Sequence, residues 1–160
     1  MNCKELIIFT DGSYMKSTNY CGYGVYFPNN EYPSYGKQIL ENKTNQRAEL
    51  KAIFSALKKI NKYLNTYKNI IIYSDSMYSI NCITIWYKSW QKSNWINSQK
   101  KPVLNQDIIK PLITLLKQLQ SNGYKINFKH VRSHTGADTF EARCNDEVDK
   151  LAKGCIKYYL

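Results

Sequence analysis

Leu6-Ile7-Ile8-Phe9-Thr10-Asp11-Gly12-Ser13 is the stretch whose reading decides the fold. A short continuous apolar run bounded by a turn-forming pair is the pattern of a strand buried on both faces. Its exit carries a carboxylate with glycine directly behind it. The strand is therefore expected to stop at Thr10 and to deliver Asp11 to a sheet edge, where α/β proteins gather their functional groups. Taken alone, Asp-Gly is ordinary turn chemistry. A second run of the same kind, Asn69-Ile70-Ile71-Ile72-Tyr73, stops on Ser74-Asp75 and repeats the device.

Around these two strands the apolar period changes. Tyr23 to Phe27 and Ser34 to Leu40 read as further strands, parted by Pro28-Asn29-Asn30, and complete an antiparallel meander with the first. Leu50, Ile53, Leu57, Ile60 and Leu64 then fall on one face of a helix running from Gln46 to about Leu64, with Thr44 or Asn45 as its cap. Helices are also expected from Ser76 toward Trp86, from Gln106 to about Leu119, and from Asn145 to about Lys153. Tyr124 to Lys129 alternates with period two and reads as the last strand. The order predicts an α/β fold: a five-stranded mixed sheet, three antiparallel strands followed by two parallel ones, with helices on both faces. No repeat or linker interrupts the 160 residues, so residues 1–160 are expected to form a single domain.

Composition narrows the partners. Lys and Arg number 23 against 12 Asp and Glu, a formal charge of +11 that favours a polyanion such as nucleic acid. No apolar run approaches the ~20 residues of a membrane span. Lys4 and Glu5 interrupt the place where a signal peptide's apolar region would lie. The five cysteines are scattered without CxxC spacing, which predicts reduced thiols in an intracellular compartment and argues against a disulfide framework or a thiolate zinc site.

Against this basic background, four acids invite a common explanation. Crossovers between parallel strands preserve polarity, so Asp11 and Asp75 are expected at the same end of neighbouring strands. Glu49 adjoins the inward-facing Leu50, and Asp149 precedes Leu151-Ala152 on the last helix; Asp146, three residues before it, is the rival on the same helix. Clustered buried carboxylates are costly unless they are paired or bind metal. All-oxygen ligands suit Mg²⁺, with Mn²⁺ as the alternative. Two such ions about 4 Å apart can activate a water and stabilise the leaving oxygen of a phosphodiester displacement.

Thr10-Asp11-Gly12-Ser13, the run Thr44-Asn45-Gln46-Arg47-Ala48-Glu49-Leu50, Tyr73-Ser74-Asp75-Ser76, His134-Thr135-Gly136 and Asn145 to Ala152 resemble, in order, the successive motifs of the type 1 ribonucleases H. The resemblance covers nearly the whole chain. It implies the ribonuclease H-like fold and endonucleolytic cutting of the RNA strand of RNA/DNA hybrids, leaving 5′-phosphate and 3′-hydroxyl ends. A metal-binding quartet of Asp11, Glu49, Asp75 and Asp149 is implied with it. His134 matches a loop histidine that assists proton movement or product release, while His130 is expected to be structural. Gly12, Ser13 and Glu49 match the groups that read the RNA 2′-hydroxyls. Thr44 matches a DNA phosphate contact, and Asn45, Gln46 and Asn105 match minor-groove or backbone contacts.

Tyr78 to Asn105 contains no acid and carries Trp86, Trp90 and Trp95 among Lys88, Lys92, Lys100 and Lys101. By resemblance, residues from about 86 to 105 form a basic handle on which Tyr78 and Trp86 line the DNA groove. Lys88 and Lys92 would neutralise phosphates, whereas Trp90 is expected to pack in the core. Three departures stand out: Cys144 precedes Asn145 where glycine is frequent, the segment between His134 and Asp149 is long, and no N-terminal hybrid-binding domain precedes Leu6. A monomer is expected. The rival readings are a resolvase- or integrase-like nuclease and a hybrid-binding module without activity.

Overall fold

The computed structural model describes residues 4–63 and 66–154; the expected helical position Leu64, together with Cys3 and Cys155, lies outside them. Five strands, β1 (Glu5–Met15), β2 (Tyr20–Tyr26), β3 (Tyr35–Gln38), β4 (Asn69–Ser74) and β5 (Lys125–His130), form one sheet in the order β3-β2-β1-β4-β5. β1 to β3 pair antiparallel, while β1, β4 and β5 run parallel, so the mixed α/β sheet is as expected. Helices α1 (Asn45–Tyr63), α2 (Met77–Asn81), α3 (Tyr87–Lys92), α4 (Gln106–Ser121) and α5 (Phe140–Ala152) complete the described fold.

Period-two alternation assigns the two faces of the sheet. Leu6, Ile8, Ile70 and Ile72 pack with the inward stripe of α1 (Leu50, Ile53, Leu57, Ile60) and with Ile109, Leu112 and Leu116 of α4. Phe9 points the other way, against Cys144 and Val148 of α5, and its ring stacks on Tyr73 at 4.5 Å between centroids. Three glycines let α5 lie flat on the sheet. A Cβ on Gly22 would come within 2.6 Å of the Ala152 carbonyl, one on Gly24 within 2.8 Å of the Leu151 Cβ, and one on Gly36 within 2.3 Å of the Leu151 carbonyl. Cys21, Cys82 and Cys144 are buried free thiols, as read from their scatter.

Several boundaries differ from the sequence reading. β1 does not stop at Thr10: it continues to Met15, because Gly12 to Met15 pair with Tyr20 to Tyr23, and β2 correspondingly begins at Tyr20. Asp-Gly, read as a turn, is extended backbone here. α5 starts at Phe140 rather than Asn145: the Thr139 hydroxyl accepts the Ala142 amide at 3.1 Å, a capping bond worth about 1 kcal/mol. Part of the long segment after His134 is thus helix. Beyond Ser76 the helical run reaches Lys92, with a π-helical turn over Cys82–Trp86 in the middle.

Gly24→Ala is expected to destabilise the fold by about 2 kcal/mol, since the added carbon meets both the Leu151 side chain and the Val148 carbonyl and the site is already close-packed. Urea unfolding of the two proteins, compared at equal m-value, measures it.

Candidate active site

The acids meet because β4 is shorter than β1. The last parallel pair is Thr10 with Ser74, so Asp11 and Asp75 leave that register side by side while β1 carries on against β2. Glu49 arrives from α1 by a close approach at Gly12. A Cβ there would lie 2.3 Å from the Glu49 amide nitrogen and 2.4 Å from the Ala48 carbonyl carbon, a distance any side chain would forbid. One carboxylate oxygen from each of Asp11, Glu49 and Asp75 lies within 4.8 Å of the others.

Asp11 and Glu49 are 3% and 4% exposed, which decides their electrostatics. Burial, then the charge of Asp75, pushes the Asp11 carboxyl up to about 8; the Gly12 amide donates to its Oδ1 at 2.9 Å. Burial, then the charges of Asp11 and Asp75, raises Glu49 well above the usual carboxylate range. Glu49 Oε2 is buried with no hydrogen-bond partner, an unusual condition for an acceptor that would ordinarily be satisfied. An orphaned oxygen within an all-oxygen, like-charged trio fits a hard divalent cation, which would replace the retained protons.

Asp149 joins from α5. It lines the same cleft of about 320 Å³ as Asp11, Gly12, Ser13, Asn45, Glu49 and Asp75, and its charge adds to the upward shift of Asp11. Its Oδ2 is paired with Lys153 Nζ at 3.0 Å, one turn on. Asp146 does not share this face: it borders a separate hollow with Tyr26, Pro28 and Phe140. His134 lines the acidic cleft with Ser133, in a left-handed conformation (φ 52). His130 closes β5, its Nε2 3.2 Å from the Asp75 carbonyl.

A second group of residues forms a continuous strip from the helical run to the start of α1. The Trp86 ring lies 6.0 Å from Tyr78 and 6.0 Å from Trp90, and is 39% exposed. Trp90 is half-buried against the core, as expected. Asn105 Nδ2 donates to the Tyr78 hydroxyl at 2.9 Å, and Arg47 Nη1 reaches Asn105 Oδ1 at 3.4 Å. Thr44 is the cap of α1, its hydroxyl oxygen accepting the Arg47 amide at 3.0 Å, which leaves its own proton available. Asn45 and Gln46 are exposed beside it, and Lys88 and Lys92 are exposed on the helical run. Arg47 and Lys153 were not singled out by sequence. The spacing of Lys153 four residues after Asp149 could have found one of them; the partner of Arg47, Asp107, is too distant in sequence for any local signal.

The raised carboxyl of Asp11 has a defined sign. The folded protein holds a proton there that the unfolded chain releases near 3.8, so metal-free stability falls as pH rises from about 4 through about 8. Asp11→Asn is expected to flatten that slope, leaving the metal-free variant above wild type at about pH 9 and without advantage near pH 4. Melting temperatures measured in chelator across this range check it; added divalent cation is expected to raise the wild-type value more than that of the variant.

The family model described as "RNase H" matches residues 3–157. A protein of Syntrophomonas wolfei named Ribonuclease H is 37% identical over 155 residues, 96% of this chain and 97% of its own length. Among solved structures, the PFV RNase H domain in solution is similar with a TM-score of 0.72 at 27% identity, covering 96% of this chain and 95% of that one. A foamy viral protease-reverse transcriptase in complex with RNA/DNA hybrid matches with a TM-score of 0.70 at 21% identity, 94% of this chain lying on 20% of that one, a likeness of fold. With a family match over almost the full chain and a curated relative sharing more than a third of its residues, this protein belongs to the ribonuclease H family.

Proposed function

We propose that this protein cuts the RNA strand of RNA/DNA hybrids internally, leaving 5′-phosphate and 3′-hydroxyl ends, with two Mg²⁺ ions held by Asp11, Glu49, Asp75 and Asp149. The observation that carries the reading is the convergence of three carboxylates within 4.8 Å, one of them with an orphaned buried oxygen. Bound there, the cations would lower the pKa of an attacking water and stabilise charge on the leaving oxygen. The rest falls to the protein. Gly12, Ser13 and Glu49 line one wall and read the RNA 2′-hydroxyls, so that sugar chemistry rather than base sequence selects the strand. Thr44 offers its free hydroxyl proton to a phosphate of the DNA strand, and Asn105, Asn45 and Gln46 contact the minor groove or backbone of the hybrid, Asn105 through an amide N–H.

Residues 86–105 act as a basic handle: Tyr78 and Trp86 present an aromatic floor to the DNA, and Lys88 and Lys92 neutralise its phosphates. His134, on the loop that borders the acids, moves a proton or helps product leave. On this reading residues 1–160 are one catalytic unit that works as a monomer inside the cell, with the handle gripping the hybrid. Among the described residues no helix is long and apolar enough to cross a membrane. The complex of the foamy viral enzyme with RNA/DNA hybrid supports the choice of substrate.

Asp75→Asn is expected to lower hybrid cleavage by about a thousandfold or more, since it removes one charge from the shared ligand set, while hybrid binding persists. Retained cleavage of a labelled hybrid in Mg²⁺ would contradict the assignment, and a four-way DNA junction incubated alongside should stay intact. Trp86→Ala is expected to weaken hybrid binding about tenfold, the size of one lost stacking contact, with the metal dependence of the rate unchanged. Fluorescence anisotropy at moderate salt reads the first part, and a cation titration of the rate the second.

A further inference from the structure

Arg47 is committed to the protein, not to solvent. Its side chain is 13% exposed, whereas that of its partner Asp107 is 64% exposed. The guanidinium grips Asp107 with both Nη atoms, at 2.9 and 2.8 Å, and reaches Asn105 Oδ1 at 3.4 Å, while its Nε is buried without a partner. Asn105 itself sits just before α4 in a left-handed conformation (φ 63) and makes no capping bond with its side chain. Among the described residues its side-chain amide is held through two side-chain neighbours, Tyr78 and Arg47.

Those neighbours are chemically unequal. A tyrosine hydroxyl can donate or accept, so Tyr78 tolerates either orientation of the Asn105 amide. A guanidinium only donates, so Arg47 can donate to the amide oxygen of Asn105 and is incompatible with the amide nitrogen. With the oxygen turned to Arg47 and one N–H spent on Tyr78, the second N–H of Asn105 is left for an outside acceptor. Turned over, the same side chain would set two donors against each other and offer its oxygen outward, where a phosphate would be repelled.

We propose that Arg47 is a positioning residue that fixes the amide of Asn105 with a donor facing the DNA phosphate, and that Asp107 holds the guanidinium at the angle this requires. The inference rests on the reading of Asn105 as a hybrid contact given above, and narrows that contact to a backbone phosphate. It ties α1, which carries Glu49 two residues after Arg47, to α4 and to the aromatic strip, so strand grip and metal site share one helix turn.

A double-substitution cycle tests it, with Asp75→Asn as the non-cleaving background and a short RNA/DNA hybrid as the probe, followed by fluorescence anisotropy. Arg47→Lys, which keeps the charge but loses the fork, is expected to weaken the hybrid about tenfold, and Asn105→Ala by a similar factor. Because the first acts only through the second, both together should cost about tenfold, not a hundredfold. Unchanged affinity in Arg47→Lys, or multiplication of the two losses, overturns the proposal. If Arg47→Lys does not fold by urea titration, Arg47→Gln, whose amide accepts either face of Asn105, is expected to give the same non-additivity. Hybrid cleavage by the unsubstituted protein is assayed alongside. Its absence would sink the hydrolase reading while the cycle, as a binding measurement, still decides Arg47; a background protein that binds no hybrid overturns both.

Discussion

Mutual repulsion of carboxylates is the constraint around which this molecule is arranged. Three acids with oxygens within 4.8 Å of one another, two of them almost wholly buried, cannot all be charged in the absence of cations, and nothing local in the chain would bring them together. They are brought there by rigid parts: β4 ending one residue before Asp75, β1 running through Asp11, and α1 lying so close that Gly12 has no room for a side chain. Each part is paid for by apolar packing elsewhere, with Leu6, Ile8, Ile70 and Ile72 clamped beneath α1 and α4. The site is a place where the fold tolerates a local penalty so that a ligand can remove it.

Much of this was legible in the residues because the signals were long and mutually consistent. The apolar runs 6–10 and 69–73, the helical stripe from Leu50 to Ile60 and the one from Ile109 to Leu119 all read correctly, and they determine the central strands and the helical layer on one face of the sheet. The failures sit where two rules compete. Asp11-Gly12 has turn chemistry, but the glycine is there for close approach to α1, so the strand continues where the pair suggested a stop. Likewise Phe140 to Cys144 lies within a polar stretch whose helical character depends on the Thr139 cap and on Phe140 lying edge-on to Phe9 at 6.2 Å, a contact that spans most of the chain.

The same division applies to the site. Asp11 and Asp75 were placed by strand polarity alone, and Glu49 by its position beside Leu50, since both are local or near-local inferences. Asp149 was preferred to Asp146 on the spacing of the resembled motif, and the helix packs so that Asp149 lines the acidic cleft while Asp146 borders a separate hollow. Arg47, by contrast, gains its meaning only from Asp107 and Asn105, about 60 positions away, and period and spacing carry no information about such pairs.

A further consequence concerns charge. A chain with a formal charge of +11 concentrates acids in one cleft and leaves the neighbouring strip from Asn97 back to Tyr78 without any. A polyanion approaching such a surface is drawn to the basic strip and repelled by the acids until their charge is neutralised. Binding along the strip and reaction in the cleft are therefore separable in electrostatic terms, although in space they adjoin. Cations in the cleft would turn the repelling wall into an attracting one, drawing toward the acids a strand that the strip already holds beside them.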